Sequence, residues 1–413
     1  MTYQAYKESN IAWIGKIPIH WEVHRLKNLC SLKARIGWKG LRSEEFEEES
    51  YAYLVTGQDF KKADIDWDSC YQINKERYDE DPYIQLNNGD LLITKDGTIG
   101  KIAKVSNLDK PACLNSGVFV LKQKTGKFDQ GYLYWSLVSN LLGDFNNYTS
   151  TGTTILHLYQ NVFENMPLIL PPLEEQVRIA SYLDEKCRKI NDAIDTQKKK
   201  IELLNELKQT IITNAVTKGL NPNAPMKDSG IAWIGKVPEH WDVSAFKRRI
   251  TINNGKDYKD FLDEEIYPVM GSGGCFAYCS RYMYDGEALL LGRKGTIDKP
   301  LYIKGKFWAV DTMFYAIPHK DLNCKFAHYL SLTFPFGLYS TSTALPSMTQ
   351  TDLGNNPVAF PPLEEQQSIV SHLDIECSKI DRKIEDHDRK VKLLNELKQS
   401  IITEAVTGKI KVC

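Results

Sequence analysis

The sequence predicts an α+β fold in which two domains of mixed α/β structure are joined by two long helices, with an internal pseudo-twofold repeat. Residues 171–217 recur at 361–407 without a gap, and 28 of the 47 aligned positions are identical. A second, shorter motif at 9–27 recurs at 229–247. Segments that recur in the same order identify a repeat architecture. The chain is therefore predicted to be a tandem duplication.

Each long repeated segment is predicted to form one helix. Pro171-Pro172 and Pro361-Pro362 open them, and proline is tolerated where the first helical N–H group has no partner. Two glutamates follow in each first turn, where the helix dipole favours negative charge. No proline or glycine interrupts either run before Gly219 and Gly408, which are typical helix ends.

Apolar side chains recur along both helices at alternating spacings of three and four residues, which is the heptad pattern of a coiled coil. The predicted seam contains Leu183, Ile190, Ile194, Gln197, Ile201, Leu204, Ile211, Leu373, Ile380, Ile384, His387, Val391, Leu394 and Ile401. Gln197 and His387 occupy the same position of the repeat. A buried polar residue in such a seam costs stability but sets the register. Lys208 and Lys398 form a second polar pair, whose side chains we expect to reach water.

The repeats divide the chain into five segments. The first domain covers residues 1–170, with its opening motif at 9–27, and the first coiled-coil helix covers 171–219. A linker rich in proline, asparagine and glycine follows at 220–228. The second domain covers 229–360, with its opening motif at 229–247, and the second coiled-coil helix with its tail covers 361–413.

Between each opening motif and its helix lies a body of short strand-like runs separated by turn residues. In the first body these runs are 51–55, 90–94, 100–105 and 117–122, with a helix predicted over 132–142. In the second body they are 288–291, 301–304 and 313–317, with a helix predicted over 326–332. Residues 90–101 match 288–299, and residues 150–161 resemble 342–351. Outside these two matches the bodies do not align.

Net charge, cysteine spacing and hydropathy limit the classes of function that the chain can have. The net charge is −1, so the protein is no general polycation, and any contact with nucleic acid must use local patches or a partner. The nine cysteines form no CxxC pair, which argues against zinc and for free thiols in a reducing compartment. The polar N-terminus and the lack of a long apolar run predict a cytoplasmic protein with no membrane span.

Catalytic motifs are missing from the sequence. It contains no GxGxxG after a strand, no Walker motif, no HExxH and no GxSxG. Gly271–Gly274 favours a turn over a phosphate cradle, because no helix start follows it. His20-Trp21 and His240-Trp241 are interpreted as packing elements, since one histidine per motif cannot form a metal site without partners. The pattern therefore indicates a binding protein.

The loops that match between the bodies are the best candidates for contact with a polyanion. Backbone amides and basic side chains at glycine-led turns can meet phosphates, and arginine can read guanine edges. An ordinary hairpin turn with solvated lysines explains the same pattern equally well. Two polar loops near 150 and 342 have similar standing. The candidate DNA-binding residues are Lys95, Thr98, Lys101, Thr151, Thr153, Arg293, Lys294, Thr296, Lys299, Ser342 and Thr343.

The order of these motifs resembles a known family. An IAWIGK…P…HW opening, a variable body, and a long helix that begins PPLEEQ and contains LLNELKQ and IITxAVT occur twice. This arrangement is similar to the DNA-specificity subunit of type I restriction–modification systems, over essentially the whole chain. The PPLEEQ helices and the segment from Gly219 to Trp241 are the most specific parts of the resemblance.

The resemblance implies that each body is a target-recognition domain that reads one half of a split, asymmetric site in double-stranded DNA. It also implies that the two helices form an antiparallel coiled coil that separates the half-sites. Two methylation subunits would dock on the repeated regions, and restriction subunits would join them. The chain itself would be non-catalytic and would hold no cofactor. S-adenosylmethionine, ATP and magnesium are expected in the partner subunits.

Three alternatives remain. The chain could be a two-domain coiled-coil scaffold that binds protein rather than DNA, and a purified chain without affinity for duplex DNA in the presence of a methylation partner would favour this. It could be an enzyme that works alone, although the missing cofactor motifs argue against this. It could also serve methylation only, if no restriction subunit accompanies it.

Overall fold

The computed structural model describes residues 2–35, 41–149, 158–262, 264–339 and 346–412, apart from the side chain of Ser43. The chain divides into two compact units. Unit 1 comprises Met1–Thr196 and Lys390–Cys413, and unit 2 comprises Gln197–Arg389. Each unit therefore contains one opening motif, one body and one part of each repeated helix.

Unit 1 is built from short strands and short helices. Its strands are β1 (Tyr6–Glu8), β2 (Lys16–Pro18), β3 (Glu22–Arg25), β4 (Cys30–Lys33), β5 (Ala52–Val55), β6 (Phe60–Lys61), β7 (Asp64–Ile65), β8 (Tyr71–Ile73), β9 (Leu91–Thr94), β10 (Ile102–Lys104), β11 (Ala112–Leu114), β12 (Val118–Gln123) and β13 (Pro167–Leu170). Its short α-helices are α1 (Leu26–Leu29), α2 (Lys75–Asp79), α3 (Gln130–Val138), α4 (Asn140–Thr149) and α5 (Gln160–Phe163). Single 3₁₀ turns lie at Ser43–Glu45, Trp67–Ser69 and Pro82–Ile84.

The helix predicted over 132–142 is two helices, since α3 ends before Ser139 and α4 starts at Asn140. The Ser139 side chain accepts a hydrogen bond from the backbone N–H of Leu141. A serine that bonds neighbouring backbone in this way competes with a continuous helix.

The repeated segments form the two long helices that their sequences predict. Helix α6 covers Leu173–Lys218 and helix α10 covers Leu363–Val406. Unit 2 contains the strands β14 (Met226–Asp228), β15 (Lys236–Pro238), β16 (Asp242–Ala245), β17 (Ile250–Asn254), β18 (Tyr267–Gly271), β19 (Gly274–Cys279), β20 (Tyr284–Gly292), β21 (Leu301–Ala309), β22 (Met313–Pro318) and β23 (Pro357–Phe360). It also contains α7 (Cys324–Ser331), α8 (Phe336–Tyr339), α9 (Gln350–Asn355) and 3₁₀ turns at Phe246–Arg248 and Lys259–Phe261. Strand β14 lies within the segment predicted as a linker and pairs with β15, as β1 pairs with β2.

The two bodies share a strand arrangement that sequence comparison does not reveal. In unit 1 the order β10-β9-β12-β4 is antiparallel, and a second sheet has the order β11-β5-β8. In unit 2 one six-stranded sheet has the order β17-β22-β20-β21-β18-β19. Strand β5 pairs in parallel with β11, and β18 pairs in parallel with the end of β21. The long β21 thus takes the place of β10 and β11 together.

Apolar runs in the central strands are explained by burial on both faces. In β9, Leu91 and Ile93 contribute to one hydrophobic cluster of unit 1, while Leu92 contributes to another. In β20, Leu289 and Leu291 likewise face one cluster of unit 2, and Leu290 faces a second. Because successive side chains of a strand point to opposite faces, each body has one apolar layer on each side of its sheet.

Both long helices contribute to the core of each unit, and the pairing is antiparallel. In unit 1, Leu183 near the start of α6 shares a hydrophobic cluster with Ile402 near the end of α10. In unit 2, Ile212 near the end of α6 shares a cluster with Leu373 near the start of α10. The antiparallel coiled coil expected from the family resemblance is therefore present in each unit.

Candidate DNA interface

The first candidate loop, Lys95–Lys101, follows β9 in unit 1. Thr94 is buried, and its Oγ1 atom donates to the carbonyl of Thr98 at 2.5 Å and accepts from the N–H of Lys101 at 3.0 Å. Gly97 and Gly100 adopt positive φ values of 69° and 81°, a region that suits glycine. The turn is therefore held from its base, while Thr98 and Lys101 are exposed.

The matching loop, Arg293–Lys299, follows β20 in unit 2. Gly292 takes the place of Thr94, and a Cβ atom there would lie 2.4 Å from the carbonyl oxygen of Thr296. Glycine thus lets the backbone close without the threonine that holds the other loop. The predicted residues Lys294, Thr296 and Lys299 are exposed on this loop.

The first basic residue of each loop, Lys95 or Arg293, has different contacts in the two units. Lys95 pairs with Asp96 at 2.7 Å and lies 5.9 Å from the centre of the Phe119 ring. Arg293 donates to the carbonyl of Asp311 at 3.3 Å and lies 6.0 Å from the centre of the Phe314 ring. Both side chains are half-buried and are therefore restricted in their orientation.

The other predicted polar loops are only partly described. Thr151, Thr153, Ser342 and Thr343 lie outside the described residues. The chain that follows each loop contacts a basic loop through its backbone. Leu158 N–H donates to the Lys95 carbonyl at 3.2 Å, and Met348 N–H donates to the Arg293 carbonyl at 3.0 Å. In each unit the described chain that follows the polar loop therefore lies beside the basic loop.

The predicted seam positions are shielded from solvent to different degrees. Leu183, Ile190, Ile194, Leu373 and Ile380 are buried, and the remaining predicted positions, namely Gln197, Ile201, Leu204, Ile211, Ile384, His387, Val391, Leu394 and Ile401, are half-buried.

The polar seam residues have partners on the other helix. His387 Nδ1 lies 2.7 Å from Gln197 Oε1 in unit 2. In the same unit, Lys208 Nζ lies 2.6 and 2.8 Å from the two carboxylate oxygens of Asp381. In unit 1, Lys398 donates to Asn191 at 2.9 Å. The lysines therefore bond across the coil, rather than only reaching water as expected.

Metal-ligand clusters and membrane-spanning helices are both missing from the described ranges. Within them, no group of three or more His, Cys, Asp or Glu side chains could hold a metal ion. No helix of the described chain is long and apolar enough to cross a membrane.

Comparison with known proteins identifies the family. The family described as the type I restriction modification DNA specificity domain matches residues 18–205 and 238–399. The chain belongs to this specificity family.

The MjaVIII specificity subunit of a type I restriction enzyme from Methanocaldococcus jannaschii is 28% identical, over 99% of this chain and 98% of that protein. The EcoKI specificity subunit from Escherichia coli is 19% identical, over 96% and 90% respectively. A solved chain from a study of complex assembly and conformational transition of a type I restriction–modification system has a TM-score of 0.72. That chain is 17% identical and matches over 95% of this chain and 99% of its own length, which supports the same fold.

The structure also explains why the two repeated motifs of this specificity-family chain occur together. Glu175 of the first PPLEEQ accepts from His20 at 3.0 Å and from the indole N–H of Trp21 at 3.2 Å. Glu365 of the second accepts from His240 at 2.8 Å and from Trp241 at 3.2 Å. The His-Trp pairs, which the sequence indicated as packing elements, thus contact a specific glutamate. Sequence reasoning missed this contact, although the joint repetition of the two motifs was a signal for it.

Glu175 has a third donor. The hydroxyl of Tyr3 donates to Glu175 Oε1. Burial alone would raise the pKa of Glu175, but hydrogen bonds from Tyr3, His20 and Trp21 lower it below its usual value. Burial, together with the same hydrogen bond, raises the pKa of Tyr3. Glu175 therefore binds His20 and Trp21 of the first opening motif, and Tyr3 before it, as an ionised carboxylate.

A further repeated feature is a pair of exposed leucines one helical turn apart on each long helix. Leu203 and Leu207 in unit 2 are 63% and 49% exposed, and Leu393 and Leu397 in unit 1 are 55% and 49% exposed. The pairs are related by the 190-residue offset of the repeat. Each unit therefore presents the same small apolar surface outside its own seam.

Proposed function

We propose that this chain is the DNA sequence-recognition subunit of a type I restriction–modification complex. In this proposal it reads a bipartite, asymmetric site with one body per half-site, and it docks two methylation subunits. The observation that carries the proposal is the pair of equivalent loops, which are anchored by the same backbone bonds but carry different side chains.

The loop chemistry supports reading of two different half-sites. The first loop carries Asp96 where the second carries Lys294, and Gly100 where the second carries Asp298. Hydrogen-bond donors and acceptors on such loops discriminate base edges in the major groove, so unlike side chains favour unlike bases. The basic residues of both loops suit phosphate contacts, which position a protein on DNA without reading sequence.

The exposed leucine pairs support docking of two identical partners. A surface that recurs in both units can bind two copies of one protein in the same way. Exposed apolar patches rimmed by polar residues are typical of protein interaction sites. The exposed residues next to both pairs along their helices are polar or charged.

The proposal leaves catalysis to the partners. The methylation subunits would supply S-adenosylmethionine, and restriction subunits would supply ATP- and magnesium-dependent cleavage. A near-neutral chain is compatible with this arrangement, because partners can provide much of the phosphate contact.

A map of modified adenines tests the proposal. The chain is expressed with its methylation subunit in a host that lacks related systems, and the genome is compared with that of the same host without the chain. We expect one bipartite motif with a fixed gap to be methylated only when the chain is present. If both proteins are expressed as a complex and no motif becomes methylated, the recognition function is wrong and the scaffold alternative is favoured.

A further inference from the structure

A third loop lies beside the basic loop in unit 1. Strand β5 ends at Val55, whose carbonyl accepts from the N–H of Asn115 at 2.9 Å. Two residues further on, the carbonyl of Gly117 accepts from the N–H of Lys95 at 2.9 Å. One short piece of chain, Asn115–Gly117, therefore anchors both the end of β5 and the start of the Lys95 loop. The turn Thr56–Asp59 that leaves β5 starts next to that loop.

Unit 2 repeats this arrangement with unrelated residues. The N–H of Val310 donates to the carbonyl of Met270 in β18 at 3.1 Å. Two residues further on, the carbonyl of Thr312 accepts from the N–H of Arg293 at 2.9 Å. The spacing between the two anchors is the same as in unit 1. The turn between β18 and β19 thus has the same position relative to the Arg293 loop as Thr56–Asp59 has relative to the Lys95 loop.

The turn in unit 1 is closed by hydrogen bonds and exposes a glutamine. Asp59 Oδ2 accepts from the backbone N–H of Thr56 at 2.7 Å and from its hydroxyl at 2.8 Å. The N–H of Gln58 donates to Thr56 Oγ1 at 3.2 Å. A Cβ atom at Gly57 would lie 2.8 Å from Cγ2 of Thr94, so the turn is packed directly against the base of the Lys95 loop. Gln58 itself is exposed.

The turn in unit 2 has smaller side chains than the turn in unit 1. It consists of Gly271, Ser272, Gly273 and Gly274, and a Cβ atom at Gly273 would meet nothing within 4 Å. Gly274 adopts a φ of +107°, which closes the hairpin in a conformation that other residues rarely adopt. A tip without bulky side chains allows a close approach of its backbone and of Ser272 to a ligand.

We propose that these two turns are base-reading elements, in which Gln58 reads the first half-site and Ser272 reads the second. This inference rests on the proposed DNA-recognition function. Glutamine can form two hydrogen bonds with adenine, whereas serine can serve several bases. The two bodies would then read their half-sites with equivalent turns of different chemistry, beside the basic loops that meet the phosphates.

The test uses the complex with methylation subunits and duplexes that carry the mapped motif. Every base pair of each half-site is replaced in turn, and competition binding measures the discrimination against each replacement. For Gln58→Ala we expect discrimination to fall by about 5- to 150-fold at one position of one half-site, the range of a single bidentate contact. The other half-site should be unchanged. Ser272→Ala should weaken discrimination in the opposite half-site only.

Gln4→Ala is a matched control, because Gln4 is an exposed glutamine of the same unit outside these loops. The inference is overturned if Gln58→Ala and Ser272→Ala discriminate as well as the unmodified complex at every position. That result would leave the recognition function intact, since the unmodified complex would still prefer its motif. A complex that shows no preference for any duplex would instead contradict the function itself.

Discussion

The two units share a frame, which consists of the opening motif and the repeated helices, and they differ in the body between these segments. Some contacts between repeated segments are the same in both units, as in the Glu175–Trp21 and Glu365–Trp241 hydrogen bonds, both 3.2 Å long. The bodies keep their strand order, but their loops differ in length and in side chains. A shared frame therefore allows the loops of the two bodies to diverge independently.

The largest expected effect concerns the repeated leucine surfaces. Replacing Leu203 and Leu207 by lysine should reduce the complex from two bound methylation subunits to one, because charged side chains would be desolvated in the docking surface. Replacing Leu393 and Leu397 should have the same effect. Native mass spectrometry of the purified complexes measures the stoichiometry.

The matching leucine-to-methionine variants are the control, since methionine keeps the surface apolar at similar volume. Two methylation subunits should remain bound to them. If a lysine variant also binds two, the docking surface lies elsewhere.

The equivalent tryptophans test whether the frame is equally important in both units. Trp21 and Trp241 are each buried, so replacing either by alanine should lower the free energy of unfolding by about 3–5 kcal/mol. Urea denaturation followed by circular dichroism provides the measurement. A loss at only one of the two positions would show that the motifs, although repeated, are not equivalent.

A difference between the units predicts a pH dependence. His328 of unit 2 and Tyr134 of unit 1 occupy equivalent places. Each follows an N-cap residue, Asn323 or Asp129, by five residues. The backbone N–H of each N-cap residue donates to the same glutamine of the repeat. Burial, with Lys208 and Lys325 nearby, lowers the pKa of His328 to about 4. Tyr134, with its pKa raised to about 12 by burial, does not titrate in this range.

In the unfolded chain the histidine has a pKa near 6.5. As the pH falls, it therefore binds a proton at a higher pH than His328 of the folded chain does. The stability contribution is therefore complete above about pH 6.5 and falls as the pH decreases towards 4, by about 2–3 kcal/mol in all. His328→Phe should remove this part of the pH dependence, as urea denaturation at pH 7 and pH 4.5 would show. An unchanged slope in the variant would assign the loss to other groups.

The smallest expected effect separates the two glutamates. Glu175 is buried and has three donors, whereas Glu365 is half-buried and has two, His240 and Trp241. Glu175→Ala should cost about 2–3 kcal/mol because it leaves the buried N–H of Trp21 and the half-buried hydroxyl of Tyr3 unpaired, and Glu365→Ala about 1 kcal/mol. Denaturation of the two single variants compares them directly. Equal losses would contradict the importance of the Tyr3 contact.

Local patterns predicted the frame because its determinants lie close together in the sequence. The heptads, the prolines before Leu173 and Leu363, and the glycines after each helix specify α6 and α10 from neighbouring residues. The antiparallel pairing was expected only from the family resemblance, since heptads alone permit either direction. The register pair of Gln197 and His387 then follows from that direction.

The shared strand order of the bodies could not be predicted, since strand pairing depends on residues far apart in sequence. The single strand β21 and the separate strands β10 and β11 occupy equivalent places with no sequence match. The turn at Thr56–Asp59 gave no signal for the same reason, because its neighbour Thr94 is distant in the chain. Loop residues such as Lys95 and Arg293 became candidates only because their short motif is repeated.

The central claim is that each body reads its own half-site within a common frame. Exchanging residues 248–360 for the corresponding body of another member of the family tests it most directly, with adenine methylation mapped in cells that express the methylation subunit. We expect a new motif in which one half-site changes while the other half-site and the gap are retained. A change in both half-sites would contradict the account.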